Sequence, residues 1–131
     1  MRILIVEDSG LARKMLRATC KKFFPDAEFI PAENGQLGLE AFRDAYNQSK
    51  PFDIVFIDQL MPVMDGLAAA SQILALKTNT FVVMVTANIQ SATRSEAEAI
   101  GIKEFIHKPI SEEKMQAIFS RWNQDQASTP T

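Results

Sequence analysis

Ile54-Val55-Phe56-Ile57-Asp58-Gln59-Leu60-Met61-Pro62-Val63-Met64-Asp65-Gly66 is the stretch that decides the architecture of this chain. It opens on four consecutive apolar residues, all β-branched or aromatic. A run without polar alternation is what a strand covered on both faces looks like, and such strands belong to parallel sheets. The run ends on a carboxylate, Asp58. Met61-Pro62 then favours a turn, because the residue before a proline avoids the helical region, and Asp65-Gly66 opens a new helix. Asp58 is thereby projected into a loop at the carboxyl end of a strand.

Working outward, the runs Ile3–Val6 and Phe81–Val85 have the same character, and Glu28–Ile30 and Glu104–His107 are shorter candidates. Pro31 directly after the first of these suits an edge strand. Helical patterns lie between the runs. Leu67, Ala70 and Leu74 lie on one face at helical spacing, as do Met115, Ile118, Phe119 and Trp122, which follow Ser111 as N-cap with Glu112 and Glu113 in the first turn. Leu11, Met15 and Ala18 repeat the spacing in a first helix, and Leu39, Phe42 and Tyr46 do so more sparsely in a second. Ser91–Ile100, mostly alanine and charge, reads as a helix without a strong stripe. Strand followed by helix, five times over, predicts an α/β domain with a five-stranded parallel sheet and helices on both faces.

The length of 131 residues suits one domain, and an apolar fraction of 47% suffices for a core. Fourteen basic against sixteen acidic residues argue against nucleic acid as the main partner. Cys20 alone cannot form an internal disulfide, which fits a reducing, cytoplasmic compartment. No apolar run approaches the roughly 20 residues that span a bilayer, and the N-terminal run stops at Glu7-Asp8 without a cleavage site. The domain is expected over residues 1–123, with 124–131, rich in Gln, Ser and Thr, as a flexible tail or the start of a linker.

Three carboxylates stand just past strand ends: Glu7 and Asp8 after the first, Asp58 after the third. Sites in open α/β sheets form at the carboxyl ends of strands where the strand order reverses. If the first and third strands are neighbours, the acids converge, and either their pKa values rise or a cation sits among them. All-oxygen ligands with room for water suit Mg²⁺. Asp8 could instead merely cap the helix that begins near Ser9. Thr86 ends the fourth strand and Lys108-Pro109 the fifth. A hydroxyl and an ammonium facing a carboxylate cluster are the groups that hold a phosphoryl oxygen.

These residues resemble a known family. The acidic pair Glu7-Asp8, Asp58 with its Met-Pro-Val-Met-Asp-Gly string, Thr86-Ala87 and the segment Gly101 to Pro109 are similar to the receiver domains of two-component response regulators, over nearly the whole chain from Arg2 to Trp122. The resemblance implies a flavodoxin-like fold of strand order 2-1-3-4-5. It implies Asp58 as phosphoacceptor, and Mg²⁺ held by Asp8, Asp58 and the Leu60 backbone carbonyl, with Glu7 acting largely through water. It further implies Lys108, joined to Pro109 by a cis peptide bond that aims the lysine into the pocket, as partner of the phosphoryl group, and Thr86 with Phe105 as the switch. The donor would be a histidine kinase or a histidine phosphotransfer protein. A protein partner would read the face of the fourth helix, fifth strand and fifth helix. Glu7 stands where Asp is common, and Phe105 where Tyr is frequent, so a hydroxyl is lost there.

The remaining residues have plainer readings. His107 has no second imidazole or thiol at ligand spacing and reads as a strand residue; Cys20 and Trp122 read as packing, and the methionines outside the motif and the initiator as core fillers. Leu60 and Asn88 either flank the path of attacking water and tune the phosphate's lifetime, or are only loop residues. Two other functions are open. A Mg²⁺-dependent aspartyl phosphohydrolase of the haloacid-dehalogenase type would place a second aspartate two residues after the nucleophile, where this chain has Leu60. A degenerate receiver would act as a docking domain alone, against which the intact Glu7, Asp8, Asp58, Thr86 and Lys108 speak.

Overall fold

The computed structural model describes residues 1–61, 63–87 and 91–128, with backbone alone at 91–93, 127 and 128. Strands and helices alternate: β1 (Arg2–Val6), α1 (Gly10–Phe23), β2 (Glu28–Ala32), α2 (Gly35–Asn47), β3 (Ile54–Asp58), α3 (Gly66–Ala75), β4 (Phe81–Thr86), α4 (Ser91–Ala99), β5 (Glu104–His107) and α5 (Glu112–Ser128). The strands form one sheet in the order β2-β1-β3-β4-β5, every pair parallel. This is the flavodoxin-like order.

Successive residues of a strand point to opposite faces, and here both faces are dry. Leu4, Val6, Val55, Ile57, Val82 and Met84 pack under α2, α3 and α4, against Leu39, Phe42, Ile73 and Ala97. Ile3, Ile5, Ile54, Phe56, Val83 and Val85 pack under α1 and α5, against Leu16, Cys20, Met115 and Ile118. Two buried faces explain why the central strands show no polar alternation. Four helices begin on a polar side chain that accepts from a backbone N–H three residues on: Ser9 from Ala12, Asn34 from Leu37, Asp65 from Ala68 and Ser111 from Lys114. Each satisfies an otherwise orphaned donor.

On the second face, aromatic rings join α1 to α5. The Phe119 ring lies 5.3 Å from Phe23, 4.7 Å from Phe24 and 6.2 Å from Phe56, and Trp122 lies 5.7 Å from Phe24, centroid to centroid. Most of these pairs are edge-on, the arrangement ring quadrupoles favour.

The expected stripe of α1 is wrong by about a quarter turn. Leu11 is 70% and Met15 60% exposed, Ala18 is exposed, and the buried residues are Leu16 and Cys20. Ala12, Leu16, Cys20 and Phe23 form the inward row. That row starts on a small residue, so the eye follows the larger Leu11 and Met15 instead. Met15 is therefore no core filler, whereas Met84 and Met115 are fully buried. Pro31 lies within β2, paired with Ile5; β2 is an edge strand, where a missing N–H costs little. The helix α5 continues past Trp122 to Ser128, through the first part of the segment expected as a tail. Among the described residues, no helix is long and apolar enough to cross a membrane.

Candidate functional site

The pairing of β1 with β3 carries their carboxyl ends to one place, since Val6 lies opposite Ile57 and Asp58 opposite Val85. The sheet order reverses there, with β2 reached on one side and β4 and β5 on the other. Glu7, Asp8 and Asp58 each offer a carboxylate oxygen, and these oxygens lie within 4.8 Å of one another. Glu7 and Asp58 are buried, while Asp8 is exposed.

Asp58 owes its position to a close approach by α3. The Gly66 N–H donates to the Gln59 carbonyl at 2.8 Å, and the Gln59 N–H to the Val85 carbonyl at 3.1 Å. A Cβ on Gly66 would meet the Asp58 carbonyl oxygen at 2.1 Å, so only glycine lets the helix start here. The Asp-Gly of the sequence motif is thus a cap followed by a required gap.

Lys108 supplies the local counter-charge. Its Nζ donates to Glu7 Oε1 at 2.9 Å and stands 3.6 Å from Asp58 Oδ1. Its backbone N–H donates to the Thr86 carbonyl at 2.9 Å, and the Lys108-Pro109 peptide is cis. The second Glu7 oxygen accepts from the Asp8 N–H at 3.0 Å. Burial, foremost, together with the neighbouring Asp58, raises the Glu7 carboxyl above its ordinary range, with Lys108 pulling the other way. Burial alone would lower the Lys108 ammonium, but its bond to Glu7 and the charge of Asp58 outweigh this and raise it.

The donor set fits a hard divalent cation. An octahedral ion with ligands at about 2.1 Å needs oxygens no more than about 4.2 Å apart, close to the spacing already present. Both Glu7 oxygens are engaged, while no described residue bonds the Asp8 carboxylate, which can move to close the difference.

Thr86, at the end of β4, is buried, and its Oγ1 donates to Gln59 Oε1 at 2.8 Å. Phe105, on β5, is half-buried against the first core layer, with the Arg94 guanidinium 5.0 Å above its ring. Leu60 is exposed on the loop two residues past Asp58; Asn88 lies outside the described residues. His107 is an exposed strand residue, and Cys20 is packed in the core, where burial pushes its thiol up to about 12. Two further residues went unread in the sequence. One is Gln59. The other is Arg13, which donates to the carbonyls of Glu7 at 2.7 Å and Asp8 at 3.3 Å and braces the loop that carries them. Its place one turn inside a helix that follows an acidic pair was the available signal.

Comparison with known proteins agrees with this arrangement. The family model of the response regulator receiver domain matches residues 3–120. The two-component response regulator ORR41 of Oryza sativa is 33% identical over 93% of this chain and 94% of its own. The chemotaxis protein CheY of Listeria monocytogenes is 36% identical over 88% and 92%. Among solved structures, CheY of Borrelia burgdorferi, determined with CheX, BeF₃ and Mg²⁺, superposes with a TM-score of 0.78 at 28% identity, over 92% of this chain and 87% of that one. The α/β order, the acidic cluster typical of the phosphorylation site and the match over residues 3–120 agree: the chain belongs to the response regulator receiver domain family.

Proposed function

We propose that this domain is a phosphoacceptor switch in which Asp58 takes a phosphoryl group from a histidine kinase or histidine phosphotransfer protein in the cytoplasm. The observation that carries this reading is the gathering of Glu7, Asp8, Asp58 and Lys108 at one end of the sheet. An Asp58 oxygen attacks phosphorus in line, the N–P bond of the phosphohistidine breaks, and the imidazole keeps the electron pair. Asp8, Asp58 and the Leu60 carbonyl would hold Mg²⁺, with Glu7 acting through water, and the ion would supply charge neutralisation there. Lys108, already 3.6 Å from Asp58, meets the new phosphoryl oxygens. Asp58 opens on a groove of about 320 Å³ walled by Met15, Leu16 and Ile110, among others, through which a donor side chain can enter. Leu60, two residues past Asp58 in sequence, and Asn88, two residues past Thr86, would tune how long the phosphate survives.

Thr86 and Phe105 form the switch in this reading, and the face of α4, β5 and α5 carries the signal to a protein partner. Among the described side chains of α4, only Ala97 is buried, which supports a helix held loosely enough to shift. The face mixes basic Arg94, Lys103 and Lys114 with acidic Glu96, Glu98 and Glu113, which suits a protein better than a polyanion. Labelling by a small acyl phosphate is the test. Wild type should incorporate phosphate only with a divalent metal, and Asp58→Asn not at all. Labelling of that variant would refute the assignment, an unlabelled wild type would favour a docking-only domain, and rapid turnover of unrelated phosphoesters would favour the phosphohydrolase.

A further inference from the structure

We propose that Gln59 is a positioning residue, a latch that occupies the Thr86 hydroxyl in the unphosphorylated protein and so sets how much phosphoryl binding is needed to throw the switch. The inference rests on the assignment of Asp58 and Thr86 above and adds a residue to it.

A hydroxyl has one proton to donate. In this structure Thr86 gives it to Gln59 Oε1, at 2.8 Å, so it cannot at the same time donate to an oxygen on Asp58. Thr86 is 4% exposed, so water cannot readily take over as acceptor. Both ends of the latch are rooted. The Gln59 backbone is fixed by bonds to Val85 and from Gly66, and the Thr86 carbonyl accepts from Lys108. Movement is left to the side chains: a Thr χ1 rotation between staggered wells, with the loss of the Gln59 bond as part of its cost. Because Gln59 directly follows Asp58, the residue that reacts and the residue that restrains the response share one short loop. A phosphoryl oxygen must compete with an amide oxygen for the same proton, and being charged it makes the stronger bond.

The test is a beryllofluoride titration of the full chain at saturating Mg²⁺, followed by backbone amide NMR, for wild type, Gln59→Met, Thr86→Val and the double variant. Methionine keeps the length of the half-exposed Gln59 side chain and removes its amide acceptor. Gln59→Met should tighten the apparent affinity about fivefold, the worth of one ordinary net hydrogen bond released from the resting state. In the Thr86→Val background the same change should have no effect, because no hydroxyl is left to restrain; a merely structural role for Gln59 would persist there. Unchanged or weaker affinity in Gln59→Met, or an equal gain with and without the hydroxyl, overturns the latch alone. A wild type that binds no beryllofluoride overturns the Asp58 assignment and the latch with it.

Discussion

Replacing Gly66 with alanine should damage both stability and chemistry, and the structure says by how much. The added methyl carbon would sit 2.1 Å from the Asp58 carbonyl oxygen and 2.9 Å from both the Asp58 carbonyl carbon and the Gln59 Cα. Ordinary contact begins near 3.4 Å, so α3 and the end of β3 must separate by more than 1 Å. All three obstructing atoms are backbone, so no rotamer change relieves the clash. Overpacking of this kind costs about 3 kcal/mol, the upper end of the usual range. At about 2.1 cal/mol/K per residue, a chain of 131 residues has an unfolding entropy near 0.28 kcal/mol/K, so the melting temperature should fall by about 11 °C. A 1 Å displacement of a reacting group costs on the order of 100-fold in rate, so acyl-phosphate labelling of Asp58 should slow by one to two orders of magnitude. Gly10→Ala is the control. Gly10 also begins a helix, but its added carbon meets only the Arg13 guanidinium, at 3.5 Å, and the melting temperature should hold or rise slightly. Calorimetry and a labelling time course report both quantities. A Gly66→Ala protein that melts within 2 °C of wild type and labels at full rate would refute the reasoning.

Three further outcomes are expected. Asp8→Asn should weaken Mg²⁺ binding on the order of tenfold or more, and more than Glu7→Gln does, because Glu7 is already engaged by Lys108 and the Asp8 N–H; equal affinities in a Mg²⁺ titration would contradict this. Lys108→Ala should destabilise the metal-free domain by about 1–2 kcal/mol, less than a buried pair because the ammonium is 31% exposed. The Glu7 carboxyl is raised in the folded state, so its contribution is full below its unfolded pKa and is lost as pH rises through the folded value. Removing the cation raises that value further, so the loss measured by urea unfolding should be larger at pH 8 than at pH 4.5, and equal losses would show that Glu7 is not involved. Val63, 82% exposed, holds a φ of 70°, a left-handed conformation that is strained for a β-branched residue. Val63→Asn should recover about 1 kcal/mol and raise the melting temperature by about 3–4 °C; a lower value would mean that Val63 contributes packing.

The fold and the acid cluster were legible because each rests on local sequence. Doubly buried strands such as Ile54–Ile57 announce themselves by lacking alternation, and a carboxylate at the end of such a run has few places to go. What escaped depends on direction in space. The rotation of α1 is set by which row of a helix meets the sheet, and Ala12 and Cys20 look less apolar in sequence than Leu11 and Met15 do. The Gln59–Thr86 bond spans 27 residues and joins two strand ends whose adjacency only the sheet register reveals. Likewise, no local pattern says that the nearer carboxylate to Lys108 is Glu7.

The ring cluster around Phe119 divides the molecule mechanically. With Phe23, Phe24 and Phe56 gripping one residue of α5 and Trp122 resting on Phe24 a turn later, α5 is tied to α1 and to the middle of the sheet. Among its described side chains, α4 is held by the buried Ala97 and by Arg94 over the Phe105 ring, with no aromatic cluster of this kind. If the proposed switch moves this face, α5 would be its stator and α4 its rotor. A binding partner that straddles both would find half of its footprint constant in every state of the domain. That half can supply standing affinity, while the moving half supplies the difference between bound and released.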